Sequence, residues 1–397
     1  MRTLLLMMLS MMILNAQSIE QLIHIALKKH PSLKTIEHRL SAMDEQISLS
    51  QNFSNPDISL SINDIQFADP GNRNLEPMQF EALNVKQKFP WFGKLDARKK
   101  YTEAQKKVIF DSYESAKTAL AEEIRKTAYT IKELEARIKI VQEYIGVSKQ
   151  NIALYTSYAS TESQNHTNSM NASLLLTKVK IKAANYKALL KSQQAKLTYL
   201  VNTKVKHISD TLRIHKPKSL SYYLSKYTNN PNYTMKLSQN DVARTNRDML
   251  DLDTTPDPFV QVGYFNRSSY NNYASVVIGA SMPLYGSEKL KTEAARKEML
   301  ATASASLDYK YALKSEIQTY YAKLIEAYSI YKILNNETLP QLEHMFELTQ
   351  ASIQEGGNLF EYTNLLEQKL NLEEDNVAIK AEFFRIEAKL KSLIGEI

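Results

Sequence analysis

The sequence predicts a mainly α-helical chain with a membrane β-barrel part: long coiled-coil helices joined to four amphipathic strands per chain. Three observations carry this. The chain is written twice, each half places a strand hairpin ahead of a very long helical stretch, and the first residues have the character of an export signal. Its 397 residues suffice for two average domains or one elongated one. Glycine (9) and proline (11) are scarce, which suits long helices and argues against a loop-rich all-β protein. With 43% hydrophobic and 23% charged residues, the chain is not a disordered one.

The net charge of +7 is modest and no dense Lys/Arg block stands out, so a solvated mixed-charge helix surface is expected and no nucleic-acid partner. There are no cysteines. Disulfides, thiol catalysis and thiolate metal sites are thereby excluded, as is a lipid anchor on an N-terminal cysteine.

Residues 1–16 read as a signal peptide. Arg2 supplies the charge, Leu4 to Leu14 is apolar apart from Ser10, and cleavage is expected after Ala16. A stretch of eleven residues is too short to span a bilayer as a helix, and no apolar run of 18 occurs elsewhere. Membrane insertion therefore has to use strands.

The internal repeat shows in four echoes met in the same order. Lys29-His30-Pro31-Ser32 returns as Asn229-Asn230-Pro231-Asn232, and Asn55-Pro56-Asp57 as Thr255-Pro256-Asp257. Phe89-Pro90-Trp91-Phe92-Gly93-Lys94 returns as Met282-Pro283-Leu284-Tyr285-Gly286-Ser287, and Tyr199-Leu200-Val201-Asn202 as Ser392-Leu393-Ile394-Gly395. The offsets run from 193 to 200 residues. Repeat one is placed at 17–210 and repeat two at 211–397. Each opens with a helix broken at Pro31 or Pro231, continues through a hairpin, and enters a long helix at a Pro-x-x-Gly corner. A polar break and a closing helix complete it.

The strands are expected at about 58–67, 80–89, 258–266 and 273–282. Ile58, Leu60 and Ile62 alternate with Ser59, Ser61 and Asn63, then the phase slips at Asp64 and resumes at Ile65 and Phe67, as at a bulge. Leu83 and Val85 alternate with Asn84 and Lys86; Val260, Val262 and Tyr264 with Gln261 and Gly263; Val276 and Ile278 with Ser275 and Gly279. Segments of about ten residues with one apolar and one polar or small face fit tilted strands between lipid and water. A soluble sheet resting on a core has the same alternation. Four strands cannot close a barrel, and hydrocarbon does not tolerate open edges. Two copies would give eight strands and three would give twelve; physics alone leaves both open.

The long helices are expected at about 95–158 and 288–350. Ile124, Ile131, Ile138 and Ile145 keep a seven-residue spacing, with Leu134 and Val141 on a second seam. Ile317, Leu324 and Tyr331 form one seam in repeat two, and Leu313, Tyr320, Ala327 and Leu334 the other. Sixty such residues span roughly 90 Å. Pro340 reads as a kink, because the helical period resumes at Leu342, Met345, Phe346 and Leu348. The breaks at 157–171 and 352–358 read as hairpin tips.

The ordered set resembles the TolC-like outer-membrane efflux proteins over nearly the whole mature chain. The corner Val85 to Arg98, containing Phe89-Pro90-Trp91-Phe92-Gly93-Lys94, is similar to that of the heavy-metal (CzcC-like) branch. Gln354-Glu355-Gly356 with Tyr362-Thr363-Asn364-Leu365-Leu366-Glu367-Gln368, and the ending Leu390 to Gly395, are similar to the family's tip, return helix and repeat end. The resemblance implies a two-repeat fold and a homotrimer with a 12-stranded barrel in the cell outer membrane. It further implies a helical part in the periplasm, and tips that meet a periplasmic adaptor (membrane fusion protein) and an inner-membrane pump. Repeat one departs at its tip, where Ser160-Thr161-Glu162-Ser163 replaces the expected glycine.

No enzyme is expected. The seven histidines show no i,i+4 pair with a matching carboxylate, and there is no phosphate loop or nucleophile elbow. No metal site, cofactor or catalytic residue is assigned. The residues singled out are the corners (Pro90, Trp91, Gly93, Pro283, Tyr285, Gly286), the second tip (Glu355, Gly356, Gly357, Asn358, Glu361) and the lipid-facing set. That set is Ile58, Leu60, Ile62, Leu83, Val85, Val260, Val262, Val276 and Ile278. Trp91, Phe92 and Tyr285 suit a membrane interface, and Glu355 and Glu361 suit charged rings at a gate. The expected function is a passive channel component of a tripartite efflux or secretion system, carrying solutes such as metal ions or drugs. The rival is a periplasmic coiled-coil scaffold or adaptor without a pore.

Overall fold

A computed structural model describes residues 16–158, 164–354 and 359–397. Residues 1–15, within the expected signal peptide, and residues 159–163 and 355–358, within the expected tips, lie outside the described residues. The chain divides into two compact units. One comprises Met1–Thr35, Tyr113–Pro231 and Tyr311–Ile397; the other comprises Ile36–Ser112 and Asn232–Lys310.

The first unit is helical. Its opening is β1 (Ala16–Gln17) and α1 (Ile19–Lys29), which starts on a capping box: Ser18 Oγ accepts from the Gln21 amide, and the Gln21 side chain accepts from the Ser18 amide. Pro31 opens α2 (Pro31–Ser50), where its missing N–H costs nothing. The long α3 (Lys94–Tyr158) turns back as α4 (Gln164–Val201), and β4 (His207–Ile208) pairs in parallel with β1. Then come α5 (Leu220–Ser225), a 3₁₀ turn at Tyr227–Asn229, and α6 (Pro231–Leu252), again begun by a proline; α2 beyond Thr35, α3 before Tyr113 and α6 beyond Pro231 belong to the second unit.

The unit's core is built from heptad residues. Ile124 and Ile131 are buried against Leu22, Ala26, Leu33, Leu197 and Val201. Further along α3 the buried positions pass to Leu134, Val141 and Tyr144, while Ile138 and Ile145 become half-buried. A helix of 3.6 residues per turn drifts against a 3.5 repeat by about 20° per heptad, so the second seam inherits the interior. There it meets Leu175 and Val179 of α4, and Leu366 and Leu370 of the last helix, α9 (Leu359–Leu393).

The second long helix, α7 (Ser287–Ile333), buries Leu313, Ile317, Leu324 and Ala327 and leaves Tyr320 and Tyr331 half-buried. Pro340 acts at Leu334–Thr338, a π-helical turn that leads into α8 (Leu339–Gln354). Proline offers no N–H and its ring crowds the carbonyl four residues back. The wider turn, with Leu339 N–H bonded to Leu334 O, accommodates both.

The two repeat ends close alike. Asn202 (φ 52°) and Gly395 (φ 72°) adopt the left-handed conformation after α4 and α9. Asn202 donates from Nδ2 to Lys29 O, whereas a Cβ on Gly395 would overlap the Asn229 carbonyl oxygen.

The second unit holds an antiparallel sheet of order β2-β3-β5-β6: β2 (Asp57–Asn63), β3 (Phe80–Lys88), β5 (Asp257–Asn266) and β6 (Tyr273–Ser281). The hairpins of both halves thus form one sheet, joined at its centre by β3 and β5. The first strand is shorter than the alternation suggests. Asp64 sits at φ 55° and ends β2 instead of bulging it, so Ile65 and Phe67 fall in the following loop. Arg73 holds that turn by donating to the carbonyls of Asn63, Asp64 and Phe80, and the buried Gln79 donates to Asp64 O and Asn72 O.

Candidate functional site: two faces and two corners of the sheet

Residues opposite one another in an antiparallel ladder share a face, so the register sorts the sheet into two surfaces. Ile58, Val85, Val262 and Val276 form one row across all four strands, and Leu60, Leu83, Tyr264 and Ala274 the next. Val260 and Ile278 pair on the same face, and Ile62 extends it at the end of β2. These side chains are uncovered: Leu60 is 82% exposed, Ile278 77%, Ile58 68% and Val276 64%. All nine strand residues singled out from the sequence fall on this one face. Val260 is half-buried and the other eight are exposed. Aliphatic rows of this kind are at home in hydrocarbon and costly in water.

The opposite face carries Ser59, Asn84, Gly263 and Ser275 in one row and Asp57, Lys86, Gln261 and Val277 in the next. Its aromatic rings cover glycines. A Cβ on Gly279 would lie 2.5 Å from the Phe259 ring, and one on Gly263 2.7 Å from the Phe265 ring. Phe265 stacks on Tyr273 at 4.6 Å and meets Phe80 edge-on at 5.0 Å. The Lys86 ammonium lies 3.9 Å above the centre of Phe259.

At the corners, Gly93 and Gly286 take φ of 87° and 74°, a turn that L side chains resist. Beside Gly93, the side chain of Lys94 is only 4% exposed. Its ammonium donates to Asp257 Oδ1 at 2.8 Å and to Thr255 O at 3.0 Å. The Trp91 amide also donates to Asp257, at 2.9 Å. One carboxylate thereby ties the first corner to the start of β5. Ser287 stands at the matching place of the second corner and brings no cation. Pro90 is half-buried and Pro283 is half-buried, while Trp91 (41%) and Tyr285 (96%) are exposed. The Lys94–Asp257 bond was missed by sequence reasoning. The lysine inside the corner motif and the aspartate after Pro256 were its only traces.

Of the second tip, Glu355, Gly356, Gly357 and Asn358 lie outside the described residues, and Glu361 is exposed in the first turn of α9. Among the described residues no group of three His, Asp or Glu side chains is placed to hold a metal ion. Among them, too, no helix is long and apolar enough to cross a membrane.

Comparison with known proteins bears on this arrangement. Residues 22–203 match the family model described as outer membrane efflux protein. The match covers somewhat less than half of the chain, within its first repeat. No curated protein matches the chain. Among solved structures, the outer membrane protein VceC of Vibrio cholerae aligns with a TM-score of 0.78 at 14% identity, covering 95% of this chain and 96% of that one. The open-state outer membrane channel MtrE of Neisseria gonorrhoeae gives 0.79 at 13% identity, covering 95% and 89%. CusC, described through its transmembrane channel formation, gives 0.75 at 14% identity, covering 96% and 93%. The fold of the outer membrane efflux proteins therefore extends over both halves of the chain, including the half beyond residue 203. The likeness is similar for all three structures and does not assign the chain to a heavy-metal branch.

Proposed function

We propose that the chain is one third of a homotrimeric outer-membrane channel and serves as the passive exit duct of a tripartite efflux or secretion system. The observation that carries this is the sheet: four strands, one face of exposed aliphatic rows, and two outer edges, β2 and β6, with no partner among the described residues. Open edges are not stable in hydrocarbon, so the sheet has to be completed by other copies. Three copies bring twelve strands, above the minimum of about eight for closed bacterial barrels.

The repeat offsets supply a register for that closure. β3 pairs with β5 so that Val85 faces Val262. Shifting β3 by 193 residues and β5 by 200, as Phe89/Met282 and Pro56/Pro256 require, sets Ile278 of one copy opposite Ile62 of the next. Both residues lie on the aliphatic face, so closure in this register continues the apolar belt and keeps Ser59, Asn84, Gly263 and Ser275 toward water. Trp91 and Tyr285 then sit at the inner interface, where amphipathic rings anchor. The chain brings a conduit and no chemistry of its own. Energy comes from an inner-membrane pump reached through a periplasmic adaptor at the helix tips, where Glu355 and Glu361 form rings about the axis. Metal ions and drugs are the candidate cargoes.

Planar-bilayer recording with the purified full chain tests the reading. Discrete, long-lived conductance steps are expected. Recovery of the native protein in the soluble periplasm, with no conductance after reconstitution, would instead support the pore-less scaffold.

A further inference from the structure

The segment joining the two halves, residues 203–218, carries five cations (Lys204, Lys206, Arg213, Lys216, Lys218) against one carboxylate, Asp210. Against a whole-chain charge of +7, this is a strong local excess. Its cations are spaced by two to seven residues, so it does not read as a dense basic block. The structure shows why they act together. The segment is extended and pinned to its own unit through inward groups. Ile208 is buried in the core, Asp210 accepts from the Ile19 amide at 2.8 Å, and Lys132 donates to Ile208 O at 3.2 Å. His215 Nε2 lies 3.0 Å from the buried Glu387.

With the backbone held this way, Lys204, Lys206, Arg213 and Lys216 all point to solvent. None of the four has an ion pair among the described residues. Elsewhere in the unit the cations are mixed: Arg125, Lys132, Arg137, Lys182, Lys226, Arg385 and Lys389 each meet a carboxylate, whereas Lys180, Lys187 and Lys191 of α4 are exposed without an ion pair among the described residues. What sets the strip apart is that its cations sit on a non-helical segment held at Ile208, Asp210 and His215. Lys28 and Lys29, exposed in the last turn of α1, adjoin the same segment through the Asn202 bond to Lys29 O. Unpaired cations on a held, extended strip fit a partner that presents many weakly spaced carboxylates, because such contacts need charge density and little shape.

We infer that this strip is a docking surface for an anionic, carboxylate-bearing polymer of the cell wall, and that it tethers the duct to the wall it passes through. This rests on the proposed placement of the helical unit in the periplasm. An acidic protein partner would use the same charges with a defined shape. The extended backbone and the absence of an apolar centre among these residues favour the polymer.

The test is co-sedimentation of the purified full chain in detergent with isolated peptidoglycan sacculi. The wild type is expected to sediment at low salt and to be released at 0.5 M NaCl, since contacts between exposed charges are screened within about 4 Å at that ionic strength. The variant K204Q/K206Q/R213Q/K216Q is expected to bind about ten-fold more weakly or worse. The charge-keeping variant K204R/K206R/K216R should bind as wild type, and sacculi whose carboxyls have been amidated should not retain the protein. Equal sedimentation of wild type and the quadruple variant overturns the inference, as does no sedimentation of wild type. So does a charge-dependent retention on polyglutamate resin that sacculi do not reproduce, which would assign the strip to an acidic protein. Bilayer conductance of the same preparations separates the outcomes. Conducting protein without sacculus binding leaves the duct standing and removes only the tether.

Discussion

Placing a lysine at Val262 separates a lipid-facing sheet from a water-facing one. Val262 lies mid-strand in β5, in the row Ile58-Val85-Val262-Val276, and is 49% exposed. Facing hydrocarbon near the bilayer midplane, a lysine costs about 2–4 kcal/mol per site. Three copies in one barrel would then lose about 6–12 kcal/mol, enough to abolish assembly. Its neighbour Gln261 points to the opposite face, where its amide approaches Asn84 at 3.4 Å. A lysine there meets water and costs at most about 1 kcal/mol, the span of strand preferences. Outer membranes expressing each variant would be resolved by semi-native electrophoresis. Gln261→Lys is expected to give the wild-type oligomer band, and Val262→Lys to lose it. Normal assembly of Val262→Lys together with failure of Gln261→Lys would refute the face assignment, and with it the membrane role of the aliphatic rows.

Three further outcomes follow from the helical unit and the corner. Asp257→Asn leaves the nearly buried Lys94 ammonium with Thr255 O at 3.0 Å and Asp253 at 3.9 Å, and should lower stability by about 2 kcal/mol, read as a shift in the denaturation midpoint in detergent. Gly395→Ala puts a Cβ on the Asn229 carbonyl at φ 72° and should cost about 2–3 kcal/mol, whereas Asn202→Gly at the matching end should change stability by less than about 1 kcal/mol. Burial raises the pKa of Glu373 above its ordinary value; Lys369 and the Tyr144 hydroxyl oppose the rise, and Glu143 and Glu343 add to it. A raised carboxyl favours the folded state fully below its unfolded pKa of about 4.3 and loses that contribution as pH climbs through the raised value. Glu373→Gln should therefore gain in thermal midpoint, relative to wild type, between pH 4 and pH 7.5; an unchanged difference would count against the burial effect.

Elements with strong periodicity were legible in the sequence. Ile124, Ile131 and Val141 sit in the core, where a buried face imposes its period on the helix, and the nine alternating strand residues share one aliphatic face because successive side chains of a strand point to opposite sides. What escaped depends on single contacts between residues far apart in sequence. The end of β2 at Asp64 is set by Arg73 and Gln79 reaching back across the turn, so alternation alone ran the strand too far. Pro340 marked an irregularity, but the π turn ahead of it depends on how the helix absorbs a lost hydrogen bond. The Lys94–Asp257 bond joins residues 163 apart and has no local signature. The basic strip was diluted by the apolar residues that anchor it, so its charge emerged only once Ile208 and Asp210 were seen to face inward.

Disulfide trapping between copies tests the central claim most directly, since the chain has no cysteine of its own. The double variant Ile62→Cys/Ile278→Cys, oxidised in intact outer membranes, is expected to give a ladder ending at the covalent trimer, with either single variant giving no ladder. A double variant that stays monomeric after oxidation, or that forms its disulfide within one chain, would show that β2 and β6 do not meet across copies and would contradict the barrel.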